Sequence, residues 1–208
     1  MLQIIPALLV AITVVIQCLA VQKSRYRLSR MNARPPHHGL ALMSGMLAAA
    51  AIILRLYQND SAVGVLFMTI MTGCMTLMTL TDAASCRLPR PFTIMYLISG
   101  SAFRLWQGDW LTGLCSAGFW FLLLLLFRQY TSYRRKTETI GLGDVFLIAG
   151  IAIWSPPGDI PWIVATAAGG ALLYLWCNRQ RRITRELPFG PFLCASQYAF
   201  TFYPGGLW

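Results

Sequence analysis

The sequence predicts an all-α membrane protein of about eight transmembrane helices, and its composition is the first reason. Of its 208 residues, 57% are hydrophobic and only 12% are charged, whereas soluble domains carry about 25% charged residues. The mean hydropathy is +0.58. These values exclude an ordinary soluble domain, and we expect a single membrane domain that covers residues 1–208.

Apolar segments recur along the whole chain and are separated by short polar connections. Several of them are short for a helix that crosses a hydrocarbon core of about 30 Å. The first lacks the basic residues that open a signal peptide, so we interpret it as an uncleaved span. The predicted spans are residues 2–21, 40–57, 62–81, 92–106, 111–127, 144–154, 161–177 and 188–203.

The basic residues predict the orientation of these spans. If eight helices alternate, all of the 17 Lys and Arg residues except Arg55 and Arg104 fall in four connections on one side. One of them is a short basic loop at residues 22–38. By the positive-inside rule this side is cytoplasmic, so both termini are periplasmic. The charge marks topology and forms no nucleic-acid motif, so we predict no nucleic-acid partner.

Cysteines and histidines give no pattern for a metal site. The six cysteines form no C-x-x-C pair and mostly lie in apolar spans, where free buried thiols are expected. The two histidines, His37 and His38, are adjacent and form no H-E-x-x-H motif. We therefore predict no metal site and no cofactor.

The predicted topology pairs two aspartates. Asp82 ends the third span and Asp144 begins the sixth, both at the cytoplasmic surface, whereas the three other aspartates lie in short outer turns. An ionisable group where the chain enters hydrocarbon is costly and indicates a function. Two neighbouring carboxylates share one proton, and such a pair hydrolyses a peptide by acid–base catalysis without a covalent intermediate.

Other roles are open for the same residues. Taken singly, Asp144 could cap the helix that it begins, and Asp82 could serve the turn that follows it. The chain could also be a component of an ion- or proton-coupled transporter, or a non-catalytic subunit of a pilus or secretion machine. Both aspartates lie at one membrane interface, which favours the hydrolytic pair because transporters more often place such groups near the midplane.

Three segments, in this order, resemble the type IV prepilin peptidase family. They read "TDAASCRLPRPFT", "ETIGLGDVFLIAG" and "LPFGPFLCAS", and they fall within residues 75–200. The resemblance implies an intramembrane aspartic protease of the bacterial inner membrane, with its active site toward the cytoplasm. Such a protease removes the basic leader of type IV prepilins or of type II secretion pseudopilins. Asp82 and Asp144 would be its catalytic residues.

The resemblance also assigns roles to residues around the aspartates. Gly141 and Gly143 match the glycines of the family's G-x-G-D segment and would support the catalytic loop. Leu88 and Pro89 match its Leu-Pro pair and are candidate substrate contacts. We add Glu138 as a candidate contact for the basic leader, although pairing with a nearby basic residue explains Glu138 equally well.

This chain departs from the family's pattern at two points. Many bacterial members have a large first cytoplasmic loop with two C-x-x-C pairs and also methylate the new pilin N-terminus, whereas residues 22–38 are short and contain no cysteine. We therefore predict neither N-methyltransferase activity nor zinc. The family also commonly has a lysine two positions after the G-x-G-D aspartate, where this chain has Phe146.

The sixth span predicts a water-accessible site beside Asp144. From Ile140 to Trp154 it is about 22 Å long as a helix, which is shorter than the hydrocarbon core. The Gly-Leu-Gly at its start predicts non-helical backbone, which membrane depth tolerates only beside protein or water. We expect these glycines to give the loop freedom to bring Asp144 toward Asp82.

Overall fold

The structure, a computed structural model of the chain, is helical wherever it describes regular secondary structure. Seven helices lie in the described part, and the described residues between 15 and 26 are helical as well. The helices are α1 His38–Tyr57, α2 Ala62–Ser85, α3 Arg90–Gln107, α4 Trp110–Arg135, α5 Leu142–Trp154, α6 Ile160–Cys177 and α7 Gly190–Phe202. The structure describes residues 15, 18–19, 21–24, 26, 38–57, 61–86, 88, 90–135, 141–177 and 187–202.

These helices correspond one for one to the last seven predicted spans, and most bounds agree within two residues. The largest difference is α4, which continues to Arg135 instead of ending at residue 127. Thr131 is tolerated in these extra turns because its hydroxyl bonds to the backbone carbonyl oxygens of Phe127 and Arg128, at 2.9 and 3.0 Å. The first predicted span, 2–21, lies mostly outside the described residues, as does the loop at 22–38.

Three helices, α2, α4 and α6, are long and apolar enough to cross a membrane. Shorter apolar stretches occupy Ala41–Ile53 in α1 and Leu142–Trp154 in α5. Large apolar side chains on the outward faces, such as Leu122, Leu126 and Trp176, are exposed, and such a surface suits lipid better than water. The fold is therefore compatible with a membrane protein, while the count of eight spans, the periplasmic termini and the single membrane domain stay predictions.

Local sequence signals set the ends of the helices near the two aspartates. α2 begins after Ser61, whose side-chain oxygen accepts the Gly64 amide at 3.1 Å. It ends at Cys86, which has a left-handed φ of 49° and donates its N–H to the Asp82 carbonyl oxygen at 2.7 Å. α5 ends at the "SPPGD" turn, because its prolines cannot continue a helix.

α2 and α5 are the most deeply buried helices of the bundle. α2 is buried over most of its length from Met68 to Asp82, and α5 is buried from Leu147 to Trp154. α2 packs against α1, α3 and α7, whereas α5 packs mainly against α3 and α4 and also touches α6 and α7. Within the described helices, the backbones of α2 and α5 do not approach each other closely, and both helices pack against α3 and α7.

Buried hydrogen bonds fix α5 and α7 against α3. The Tyr96 hydroxyl of α3 donates to Gln197 Oε1 of α7 at 2.6 Å. Trp154 Nε1 of α5 donates to the Tyr96 carbonyl oxygen at 3.1 Å. All three side chains are fully buried, where an unmet polar group is costly. These bonds therefore favour a single arrangement of the three helices.

Candidate active site

Asp82 lies in the last turn of α2 and is almost fully buried, with 3% of its surface exposed. Its Oδ2 accepts the backbone N–H of Gly190, the first residue of α7, at 2.8 Å. The turn after α2 is closed by the Cys86 N–H on the Asp82 backbone carbonyl oxygen, not on the carboxylate. The side chain of Asp82 therefore ties α2 to α7 instead of serving the turn that follows it.

Asp144 lies in the first turn of α5 and is partly buried. The residue at the N-cap position is Gly141, and no side chain caps the helix there. Among the residues that the structure describes, none donates a hydrogen bond to the Asp144 carboxylate. Within this part of the chain Asp144 thus does not act as the cap of its own helix.

The carboxyl groups of Asp82 and Asp144 are close enough to interact through their charges. Asp82 ends α2 and Asp144 lies in the first turn of α5, and both helices pack against α3 and α7. Two carboxyl groups in this relation favour the sharing of one proton. The arrangement is therefore suited to acid–base chemistry.

The prediction of a flexible, non-helical Gly-Leu-Gly is wrong at Gly143. α5 begins at Leu142, so Gly143 is helical and Asp144 belongs to the same turn. A Cβ at position 143 would lie 2.7 Å from Leu88 Cβ, closer than two such atoms approach in proteins. Gly143 therefore allows close packing of α5 on the segment after α2, and it does not supply loop freedom.

Gly141 provides space for the catalytic candidate beside it. It has an extended backbone, with φ −64° and ψ 134°, at the N-cap of α5. A Cβ there would lie 3.1 Å from Asp144 Oδ2, which is a tight contact. The missing side chain at this position thus leaves room for the Asp144 carboxylate next to the start of the helix.

Comparison with known proteins adds a family to this geometry. Residues 69–176, just over half of the chain, match the type IV leader peptidase family. The chain belongs to the type IV leader peptidase family. The matched residues include Asp82 and Asp144 but stop before Gly190.

Two curated relatives are similar in sequence to most of this chain. Both are named prepilin leader peptidase/N-methyltransferase, from Burkholderia pseudomallei strains 1026b and K96243. Each is 33% identical over 175 residues, which cover 79% of this chain and 53% of the relative. The chain thus spans about half the length of these relatives. No solved structure shows a significant match.

Of the remaining residues that the sequence singled out, the structure describes only some. Leu88 is partly buried, packs against the core and contacts Gly143, so it joins the segment after Asp82 to α5. Its role as a substrate contact stays a prediction. Pro89 and Glu138 lie outside the described residues, and their roles are likewise untested.

Phe146, which replaces the lysine common in the family, packs toward α4. Its ring lies 5.2 Å from the ring of Phe121, measured between centroids. The side chain is partly buried. In this chain the position is therefore used for an apolar helix–helix contact.

Sequence reasoning did not identify Gly190 as a site residue. The residue lies in the "LPFGPFLCAS" segment, which carried the resemblance, but only the fold brings its amide to Asp82. A glycine flanked by Phe189 and Pro191 at the start of a helix was the available signal. A contact between positions this far apart in the chain has no local pattern.

The described residues do not form an evident metal site. In this part of the chain, no three His, Cys, Asp or Glu side chains come together in a way that could hold a metal ion. All six cysteines are among the described residues, and none of them forms a disulfide bond. The absence of a metal and of a cofactor stays a prediction.

Proposed function

We propose that the chain is an intramembrane aspartic endopeptidase that removes the basic leader peptide of type IV prepilins or pseudopilins. What supports the proposal is that Asp82 ends the buried helix α2 and Asp144 begins the buried helix α5, with the Asp82 carboxylate acting electrostatically on Asp144. Membership of the leader peptidase family supports it, as does the prepilin named in the relatives' descriptions.

The chemistry needs one proton shared by the two carboxyl groups. The ionised carboxylate takes a proton from water as the water oxygen attacks the carbonyl carbon of the scissile peptide, and the neutral carboxyl group protonates the carbonyl oxygen. The tetrahedral intermediate then collapses. Its C–N bond breaks and the leaving amine takes a proton from the carboxyl group that gained one from water. The other carboxylate takes a proton from a hydroxyl group of the intermediate as the new carbonyl forms, so the pair returns to its starting state. No covalent intermediate with the protein forms.

We place this site at the cytoplasmic face of the bacterial inner membrane, in a chain of eight spans with periplasmic termini. Arg128 and Arg134 lie in the last turns of α4, shortly before the chain returns as α5 with Asp144 in its first turn. Basic residues next to a membrane span favour the cytoplasmic side. The hydrophobic helix of the substrate would then stay in the lipid bilayer while its basic leader is cut off.

Glu138 is our proposed contact for the basic leader, because it immediately precedes the Asp144 segment in the chain. We assign the peptidase reaction alone. The relatives' name joins two activities, and the cysteine pairs that accompany methylation in many family members are missing from residues 22–38. The proposal requires no cofactor.

Two alternatives lead to different experimental results. A transporter component would use the same acids for ion or proton binding, and a non-catalytic subunit would need Asp82 only for its hydrogen bond to Gly190. Neither would remove a leader peptide. The decisive assay is therefore proteolysis itself.

The test is co-expression of a tagged prepilin with wild type, Asp82→Asn or Asp144→Asn, followed by leader removal on a gel. Loss of processing in both variants, with normal membrane levels of the proteins, is the expected result. The matched control is Asp159→Asn, which changes an aspartate in the turn after α5 and should process normally. Intact processing by either site variant removes that aspartate from catalysis, and no processing by wild type rejects the function.

A further inference from the structure

The start of α7 meets the Asp82 carboxylate directly. We propose that Gly190 is a positioning residue for Asp82 in leader removal: its amide and its missing side chain together set where this carboxylate lies. The proposal rests on the function proposed above. It concerns a residue that neither the family match nor the catalytic chemistry assigns.

The first support is the hydrogen bond itself. The Gly190 N–H donates to Asp82 Oδ2 at 2.8 Å, and both residues are buried. An amide at the first turn of a helix also brings the positive end of the helix dipole, which stabilises negative charge on the carboxylate. Within the described residues, Asp144 has no such donor, so only one of the two carboxylates is anchored in this way.

The second support is the lack of space at position 190. A Cβ there would lie 2.8 Å from Asp82 Oδ2, 3.2 Å from its Cγ and 3.3 Å from its Cβ. The φ angle of Gly190 is outside the left-handed region, so the backbone does not require glycine. The position requires glycine because the carboxylate occupies the space of a side chain.

The third support is that α7 is fixed by contacts far from the aspartates. Gln197 accepts the Tyr96 hydroxyl of α3 at 2.6 Å, and the Tyr198 hydroxyl donates to the Thr72 carbonyl oxygen of α2 at 3.3 Å. Ser196 donates to the Ile163 carbonyl oxygen of α6 at 2.7 Å. Because three neighbouring helices hold α7, its first amide cannot readily move aside, and the carboxylate must adapt to any side chain at 190.

A merely structural role would give a different result. If the Gly190 contact only stabilised the start of α7, a substitution would lower the amount of folded protein and spare the folded fraction. If the contact positions Asp82, the folded enzyme would bind substrate normally and turn it over slowly. The two roles separate in kcat, KM and thermal stability.

The experiment compares purified full-length wild type and Gly190→Ala, with a tagged prepilin whose basic leader ends in glycine as substrate. We expect kcat to fall by about 10²-fold, the loss that a displacement of about 1 Å causes in a reacting group. KM should stay near the wild-type value, because no substrate contact changes. The thermal midpoint should fall modestly, because the added Cβ overpacks the site, so kcat is measured per folded molecule. The matched control is Gly118→Ala, where a Cβ meets no atom within 4 Å and both activity and stability should be retained.

A wild-type kcat in Gly190→Ala overturns the proposal, and so does a loss of activity that only follows loss of folded protein. If Gly190→Ala does not fold, Asp82→Glu answers the same question. It keeps both the carboxylate and the amide but adds one methylene, so the carboxylate must leave its place, and kcat should fall comparably. A wild-type kcat in that variant also overturns the proposal. Each of these three outcomes overturns the role of Gly190 but leaves the proposed function standing, whereas a wild type that leaves the leader attached rejects the function itself.

Discussion

At its C-terminal end α5 is held by hydrogen bonds and aromatic packing, whereas its N-terminal end is held by close contacts at glycines. At the C-terminal end, Arg104 of α3 donates from Nε to the Ile153 carbonyl oxygen at 2.8 Å and from Nη2 to the Ser155 carbonyl oxygen at 3.1 Å. Trp154 is fully buried and stacks on Phe103, with 5.3 Å between ring centroids. Backbone carbonyl groups at the end of a helix have no partner within the helix, and here Arg104 donates hydrogen bonds to them.

The N-terminal end of α5 lacks this kind of support. Gly143 packs on Leu88, Gly141 leaves room for the Asp144 carboxylate, and no described residue donates to that carboxylate. Asp82 is anchored by the Gly190 amide, whereas the Asp144 carboxylate has no such donor within the described residues, so in the proposed function Asp144 is the carboxylate left free to exchange protons with water and substrate. The contacts at the C-terminal end of α5 thus hold the helix in place, so the Asp144 carboxylate at its N-terminal end does not have to contribute to stability.

The sharpest probe of this contrast is a pair of Gly→Ala substitutions that act on opposite ends of α5, one at Gly143 in α5 itself and one at Gly100 in α3. A Cβ at Gly143 would lie 2.7 Å from Leu88 Cβ, and one at Gly100 would lie 2.8 Å from both Ile153 Cγ2 and Trp154 Nε1. We expect Gly143→Ala to lower kcat/KM by about 10²-fold, because it displaces the turn that carries Asp144. Gly100→Ala should instead lower the free energy of unfolding by about 1–3 kcal/mol, as overpacking does.

Leader removal per folded molecule and the thermal midpoint in detergent distinguish the two variants. The assignment of different roles to the two ends of α5 is contradicted if Gly100→Ala loses activity per folded molecule as severely as Gly143→Ala. It is also contradicted if Gly143→Ala only lowers stability.

Arg104→Ala tests the stabilising end alone. It removes the donors that the structure gives to the Ile153 and Ser155 carbonyl oxygens, and we expect a loss of about 1–3 kcal/mol in the free energy of unfolding. Activity of the folded protein should be unchanged, because Arg104 contacts the C-terminal end of α5 whereas Asp144 lies in its first turn. Arg104→Lys keeps the charge but cannot donate to both carbonyl oxygens in the same way. Its free energy of unfolding should therefore lie between those of wild type and Arg104→Ala. An unchanged thermal midpoint in Arg104→Ala would contradict the assigned role.

The smallest expected effect belongs to Phe146→Leu. The aromatic pair with Phe121 is lost, which costs about 0.5–1.5 kcal/mol beyond the change in buried area. The rate of leader removal should not change, because this side chain packs on α4. A rate that falls while the thermal midpoint stays constant would show that Phe146 belongs to the reactive end of α5 instead.

The helices were predictable from the sequence because their signal is local. Apolar runs and polar turns placed all seven described helices, and prolines predicted the end of α5. The extension of α4 to Arg135 was missed, because basic residues were interpreted as the end of the span. Long basic side chains carry apolar stems, so a helix continues past the first of them.

The candidate site was predictable only in part. Charge topology and the family resemblance singled out Asp82 and Asp144, because both signals can be recognised in the sequence alone. The role of Gly143 was misjudged, because a glycine used for close packing and one used for flexibility look the same in a sequence. The contact between Gly190 and Asp82 depends on how α7 packs against α2, and no local pattern contains that information.

The most direct test of the central claim is a rate cycle on purified protein: wild type, Asp82→Asn, Asp144→Asn and the double variant, all with the same tagged prepilin. If the two carboxyl groups work as one unit, each single variant should lose at least about 10²–10⁴-fold in kcat. The double variant should then be little worse than either single one, because members of a catalytic unit are not additive. A single variant that keeps the wild-type rate, or losses that simply multiply in the double variant, would contradict the shared-proton pair.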